Sequence, residues 1–161
     1  MEYAGFSRRL GAYLLDVIPI TLLTAGFLYI FLGFDQTVHA YLEERTLEKR
    51  IQFLAERNQI RDLSFVIWLL YSMLLEGTPL QGTIGKVICG IQVVDESGNR
   101  LTMARSIGRN LAKLLSYLPC GVGFLWAAFG SKKQAWHDKI ARTYVTCRGE
   151  KPPPGPTGDP V

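Results

Sequence analysis

The stretch SRRLGAYLLDVIPITLLTAGFLYIFLGF, residues 7–34, decides the fold. From residue 17 to residue 34 it carries no charge and few polar groups. With residues 10–16 added it makes a helix of roughly 25 residues, enough to cross a ~30 Å hydrocarbon core with some tilt. Pro19 lies in its first third, where a kink is expected. Tyr29, Phe31 and Phe34 fall near the far interface, where aromatic rings are favoured. The run is too long for the core of a cleaved leader and no small-residue cleavage site closes it, so it reads as a retained span. Asp16 stands at its front edge, seven residues past Arg9, so both side chains leave the helix on the same side. An ionisable group in a membrane costs roughly 2.5–3.5 kcal/mol at the helix centre on insertion scales, and such groups are usually paired and functional.

Outward from this span the composition agrees. The chain has 161 residues, suited to one compact domain. It is 48% hydrophobic, with a mean hydropathy of +0.12, and its apolar residues come in blocks separated by charged ones. A net charge of +4 and a pI near 9.0 suit an anionic membrane surface or nucleic acid, and the apolar blocks favour the membrane. Cys89, Cys120 and Cys147 are odd in number and far apart, so they read as free thiols or small buried residues, not as a disulfide or zinc framework.

Residues 35–62 are dense in both signs of charge, with Leu47, Ile51 and Leu54 at helical spacing, and predict an amphipathic helix whose charges are solvated. LSFVIWLLYSMLL, residues 63–75, is short for a span by itself. A helix that starts in the charged segment and runs on into the bilayer solves the length problem. EGTPLQGTIGKVICG, residues 76–90, is too rich in Gly, Thr and Pro for a regular span and reads as a surface loop or a re-entrant element buried in protein. Residues 91–94 and 142–148 are strand-like, and an isolated strand needs a partner, so the two are expected to pair in a small surface sheet. Thr102 is placed to cap a helix through residues 103–118. In that helix Arg105, Arg109 and Lys113 share one face and Ile107, Leu111, Leu114 and Leu118 another, the pattern of a basic helix lying in an anionic interface. Residues 114–130 read as a third span or as a broken hairpin, interrupted by Pro119, Gly121 and Gly123. SKKQAWHDKIARTYV, residues 131–145, reads as surface, and the Pro/Gly-rich residues 148–161 as a disordered tail.

The expected fold is therefore an all-α membrane protein. It has two transmembrane helices, a third span or broken hairpin, interfacial amphipathic helices and a two-stranded surface element. The basic excess before the first span and after the second puts both termini on the cytoplasmic side of the cell membrane. Chemistry-bearing motifs are few. GTIGK lacks the early glycine and the Ser or Thr of a phosphate loop and reads as a tight, close-packed turn. His39 and His137 are far apart in sequence with no shared Cys or acid cluster, which leaves no metal site. No nucleophile elbow occurs, and aromatic residues are too sparse among the basic ones for a nucleic-acid platform. No enzyme activity, cofactor or nucleic-acid partner is expected.

YAGFSRRLGAYLLD (residues 3–16), GTPLQGTIGKVICGIQVVDESGNRLT (77–102) and LPCGVGFLWAAFGSKKQAWHDKIARTYV (118–145) together resemble the RDD family of small membrane proteins. That family is named for an arginine before the first span, an aspartate within it and a second aspartate downstream, which here match Arg9, Asp16 and Asp138. The resemblance covers residues 1–147 except 35–62, which reads as this protein's own insertion. It implies transport of an unidentified ligand or sodium/proton exchange, as proposed for some members, or the assembly role of distant relatives. The expected polar site is thus Arg9, Asp16 and Asp138, supported by Arg105, Arg109, Lys113 and His137. It serves either a cation or proton path shared between subunits of an oligomer, or an ion-paired network that only fixes packing. The expected partners are the bilayer, anionic lipid headgroups and a second membrane protein or copy.

Overall fold

The computed structural model describes residues 3–117, 122–129 and 133–149. They form α1 (Phe6–Phe31), α2 (Phe34–Glu43), α3 (Leu47–Glu76), α4 (Ile84–Ile88), β1 (Ile91–Asp95), α5 (Met103–Tyr117), α6 (Val122–Phe129), α7 (Trp136–Ile140) and β2 (Thr143–Cys147). The fold is mostly helical, with one long apolar helix and a small two-stranded sheet. The chain divides into two compact units, Met1–Leu15 with Leu70–Val161, and Asp16–Leu69; α1 and α3 each run from one into the other.

The 26 residues of α1 extend about 39 Å at ~1.5 Å per residue, and among the described helices it alone is long and apolar enough to cross a membrane. It continues unbroken through Pro19. Gly33, at φ +76°, takes the left-handed conformation that ends the helix and lets α2 start on a new course. The exposure of α1 is inverted relative to a water-soluble helix: Leu23 is 75% exposed while Asp16 is 6%. Thr24, also buried, donates its hydroxyl proton to the Ile20 carbonyl at 2.8 Å, so its polarity is absorbed by its own helix.

In the Asp16–Leu69 unit, α2 returns against the first turns of α3. Phe53 stacks on Tyr41 and Phe34 with ring centroids 4.9 and 6.1 Å apart. Beside them the buried Thr37 donates to Glu56 Oε1 at 2.8 Å, and Gln52 Nε2 donates to both. The charged segment and residues 63–75 form one continuous helix of 30 residues, as the length argument required. Several apolar residues of its second half are exposed, Leu63, Val66, Ile67 and Leu70 among them, while Trp68 is buried.

The other unit is built on the sheet. β1 and β2 pair antiparallel, Ile91 opposite Cys147 and Val93 opposite Val145, as the two strand-like runs predicted. Their β-branched residues form a core with Ala4, Ala12 and Leu101. Asp95 closes the turn after β1 by accepting from the backbone N–H groups of Ser97 and Asn99. Thr102 caps α5 by accepting from Arg105 N at 3.3 Å. Residues 76–90 hold the short α4, capped by the buried Thr83. Gly77 is required by proximity: a Cβ there would lie 2.9 Å from Met103 Sδ and 3.3 Å from Met103 Cα. Ser106 Oγ donates to the Met73 carbonyl at 2.7 Å, which ties the end of α3 to α5.

Two expectations change. The basic face of α5 does not point outward: Arg109 and Lys113 are 2% and 3% exposed, while Ile107, Leu111 and Leu114 of the other face are at least 40% exposed. The described part of residues 131–145, residues 133–145, is not a surface run, since His137, Asp138, Thr143, Tyr144 and Val145 are buried. In α5 the polar groups satisfy one another inside and the apolar groups face out, while around α7 and β2 polar and apolar groups are buried together. Of the expected third span or hairpin, α5 reaches Tyr117 and α6 occupies Val122–Phe129, while residues 118–121 and 130 lie outside the described residues. So does the tail beyond residue 149.

Candidate functional site

The site is a chain of buried charges in the unit built on the sheet. It starts at Asp138, which α7 holds fully buried. Asp138 Oδ2 accepts from the Ala135 backbone N–H at 3.0 Å, capping its own helix, and from Arg9 Nη1 at 2.5 Å. Arg9 projects from the first turn of α1 and also donates to the carbonyls of Ala4 and Lys133. Asp138 Oδ1 accepts from Arg109 Nη2 at 2.6 Å and from Nε at 3.2 Å.

Arg109, near the middle of α5, reaches in two directions. Its Nε also donates to Thr143 Oγ1 at 3.2 Å, and its Nη1 donates to Glu76 Oε2 at 2.5 Å. The rigid guanidinium fork therefore joins two carboxylates from different helices, a geometry no lysine reproduces. Glu76, the last residue of α3, is fully buried and accepts from four side chains. Oε2 takes Arg109 and Asn110 Nδ2; Oε1 takes Lys86 Nζ from α4 and Lys113 Nζ, the last at 3.4 Å. Lys113 Nζ also donates to Asn110 Oδ1 at 2.5 Å.

The electrostatics follow from burial and neighbours. Burial alone would raise Asp138; the charges of Arg9, His137 and Arg109 outweigh it and hold the carboxyl far below the usual range. Burial alone would lower Arg109; Glu76 and Asp138 reverse this and hold its proton more tightly than in water. Lys113 goes the other way: burial, aided by Lys86 and Arg109, lowers it to about 7 against the pull of Glu76. His137 Nε2 lies 3.3 Å from Asp138 Oδ1, yet burial and the cations Arg109, Lys113 and Arg9 push it down to about 3. It is neutral at pH 7.

A pH prediction follows from His137. The unfolded chain takes up this proton near pH 6.5, and the folded chain only near pH 3. Between those values the unfolded state binds more protons, so stability falls as pH falls, by up to ~1.4 kcal/mol per pH unit. Denaturation midpoints in detergent from pH 7 to pH 4 should decline less in His137→Gln than in the parent. An equal decline in both would remove His137 as the cause.

Of the residues singled out in the sequence, the structure brings together Arg9, Asp138, Arg109 and Lys113, with His137 beside them. Arg105 is exposed, 3.4 Å from Asp95 at the end of β1. Asp16 is buried on α1 and belongs to the Asp16–Leu69 unit. Glu76, Lys86 and Asn110 were missed. Glu76 read as the charge that ends an apolar run, and Lys86 as part of a glycine turn. One available signal was Asn110, an amide on the face that carries Arg109 and Lys113. Among the described residues no group of three or more His, Cys, Asp or Glu side chains is placed to hold a metal.

A long lipid-compatible helix, apolar groups turned outward and charges paired inside define a helical protein of membrane type. The chain belongs to the RDD family, whose model matches residues 3–142 and so includes every residue of the charge chain except Thr143. It is 35% identical to the uncharacterized protein YxaI of Bacillus subtilis (strain 168), over 88% of this chain and 95% of that one. It is 31% identical to the uncharacterized protein YckC of the same organism, over 89% of this chain and 83% of that one. No solved structure matches the chain significantly.

Proposed function

We propose that the chain is a multi-pass protein of the cell membrane that works as a cation or proton exchange component, several copies together enclosing the path. α1 crosses the bilayer, and residues 63–75 with the turn before them cross a second time. Both termini and the charge chain lie on the cytoplasmic side, where the basic residues are in excess. The observation that carries this reading is the inversion of exposure: large apolar side chains outside, six ionisable groups of one cluster within. In water such a surface would aggregate; in lipid it is the low-energy arrangement, and buried ionisable groups there mark ion paths. Asp16 is a further buried carboxylate, carried by the long apolar helix α1 itself. The reading needs no catalytic residue and no cofactor. Its partners are anionic lipids and further copies of the chain.

A second reading is favoured by one specific observation. Every nitrogen of Arg109 is used by a buried oxygen, and Asp138 is closed in by Arg9, Arg109 and Ala135 N. Such closure suits a packing device, and the chain would then be an assembly or accessory subunit of a membrane complex. Reconstitution into vesicles separates the two. Internal pH and sodium are followed under an imposed gradient, with Asp16→Asn beside the parent. Flux in the parent that is lost in a folded Asp16→Asn protein supports exchange. No flux in the parent, over a range of protein densities, supports the assembly role.

A further inference from the structure

The cluster does not balance its charge. Among the described residues, Arg9, Lys86, Arg109 and Lys113 face two carboxylates, Glu76 and Asp138. Fully ionised, these six groups leave two positive charges in excess within a buried site. Separating like charges from water is expensive at low dielectric, so a group able to shed its proton does so. The arginines cannot, being effectively always protonated. Only the two lysines can, and they meet on the same atom, Glu76 Oε1.

The geometry distinguishes the lysines. Lys86 makes the closer contact with Glu76, and its side chain retains 14% exposure. Lys113 is 3.4 Å from the same oxygen and its side chain is only 4% exposed. It also donates to an uncharged acceptor, Asn110 Oδ1 at 2.5 Å, a bond that a neutral amine still makes, though more weakly than an ammonium. Lys113 thus loses least when its charge goes. We propose that Lys113, held between Glu76 and Asn110, is a reversible proton-binding site, with Glu76 as its fixed counter-charge and Lys86 as the ammonium that keeps Glu76 paired in both states. On release the N–H bond of the ammonium breaks, its electron pair stays on Nζ and the proton passes to water. On uptake the reverse occurs.

Among the described residues, the groups that face Lys113 include Glu76 from α3, Lys86 from α4, Arg109 and Asn110 from its own helix, and His137 from α7, with Asp138 beside His137. α6 brings no titratable side chain. His137 is neutral and Asp138 is occupied by two arginines, so neither supplies a second negative charge to hold the Lys113 proton. This balance agrees with the depression of Lys113 to about 7, inside the range of physiological pH. The inference deepens the exchange reading by naming a proton site, and rests on that reading only for the use made of the proton.

The test is an NMR titration of the full chain in lipid nanodiscs, carbon- and nitrogen-labelled on lysine, from pH 5 to pH 10. One lysine signal should titrate near 7, and Lys113→Arg should remove that signal. No variant is needed for the first half, so a folding failure does not spare the proposal. If every lysine signal titrates above about pH 9, or if the signal near 7 survives in Lys113→Arg, the assignment is overturned. A second measurement is stability. With the folded value depressed below the unfolded one, the unfolded chain holds this proton alone from about pH 7 to 10, so stability rises with pH across that window. Lys113→Met should flatten the rise, and an unchanged rise also overturns the proposal. The vesicle assay separates this site from the exchange reading. A lysine that titrates near 7 in a protein without flux leaves the proton site standing and removes exchange. Flux that persists in Lys113→Arg, with no lysine titrating near 7, does the opposite.

Discussion

Arg109→Met lowers the stability of the folded protein by about 3–5 kcal/mol, the range for removing one partner of a buried ion pair. The apolar replacement nearly fills the space but takes the shared cation from two fully buried carboxylates, Glu76 and Asp138. Each keeps another partner, Lys86 and Lys113 for Glu76 and Arg9 for Asp138, which is why the loss is not larger. Against a usual total of about 5–15 kcal/mol, such a loss leaves little folded protein at growth temperature. Arg109→Lys should recover only part of it, since one ammonium does not reach both carboxylates and Thr143 at once. Thermal or denaturant unfolding in detergent measures both. A loss under about 1 kcal/mol in Arg109→Met would show that the two carboxylates do not depend on their common arginine.

Asp138→Asn is expected to cost about the same, ~3–5 kcal/mol, by the opposite route. The amide is nearly isosteric, so packing survives, but Arg9 and Arg109 lose the negative charge between them. An amide NH2 turned toward either guanidinium adds a donor facing a donor. If the loss is electrostatic, Arg9→Met should destabilise the Asp138→Asn protein less than the parent, with a coupling energy in the ~0.5–3 kcal/mol range of contacting pairs. Additive losses would mean that Asp138 matters as the helix cap on Ala135 N and not as the counter-ion of Arg9.

Much of the fold is legible locally. The uncharged run after Asp16 specifies α1, the β-branched residues at 91–94 and 142–148 specify two strands that pair with each other, and Thr102 marks where α5 begins. Each is set by interactions within a few residues, or by a need that only one other segment meets. The site was half legible. Arg9 and Asp138 stood out by the family resemblance, and Arg109 with Lys113 by their four-residue spacing. Glu76 did not, because nothing within its own stretch separates a carboxylate that ends a helix in water from one buried among three cations.

The direction in which α5 faces shows where the division lies. Spacing determines that Arg109 and Lys113 share a face and that Ile107, Leu111 and Leu114 share another. It does not determine which face turns inward, because amphipathicity is symmetric until the surroundings are known. The tertiary structure decides it. Glu76 and Asp138, more than twenty residues away on either side, supply the counter-charges that make the inside of the fold the better place for two cations, and the apolar face is left to the outside.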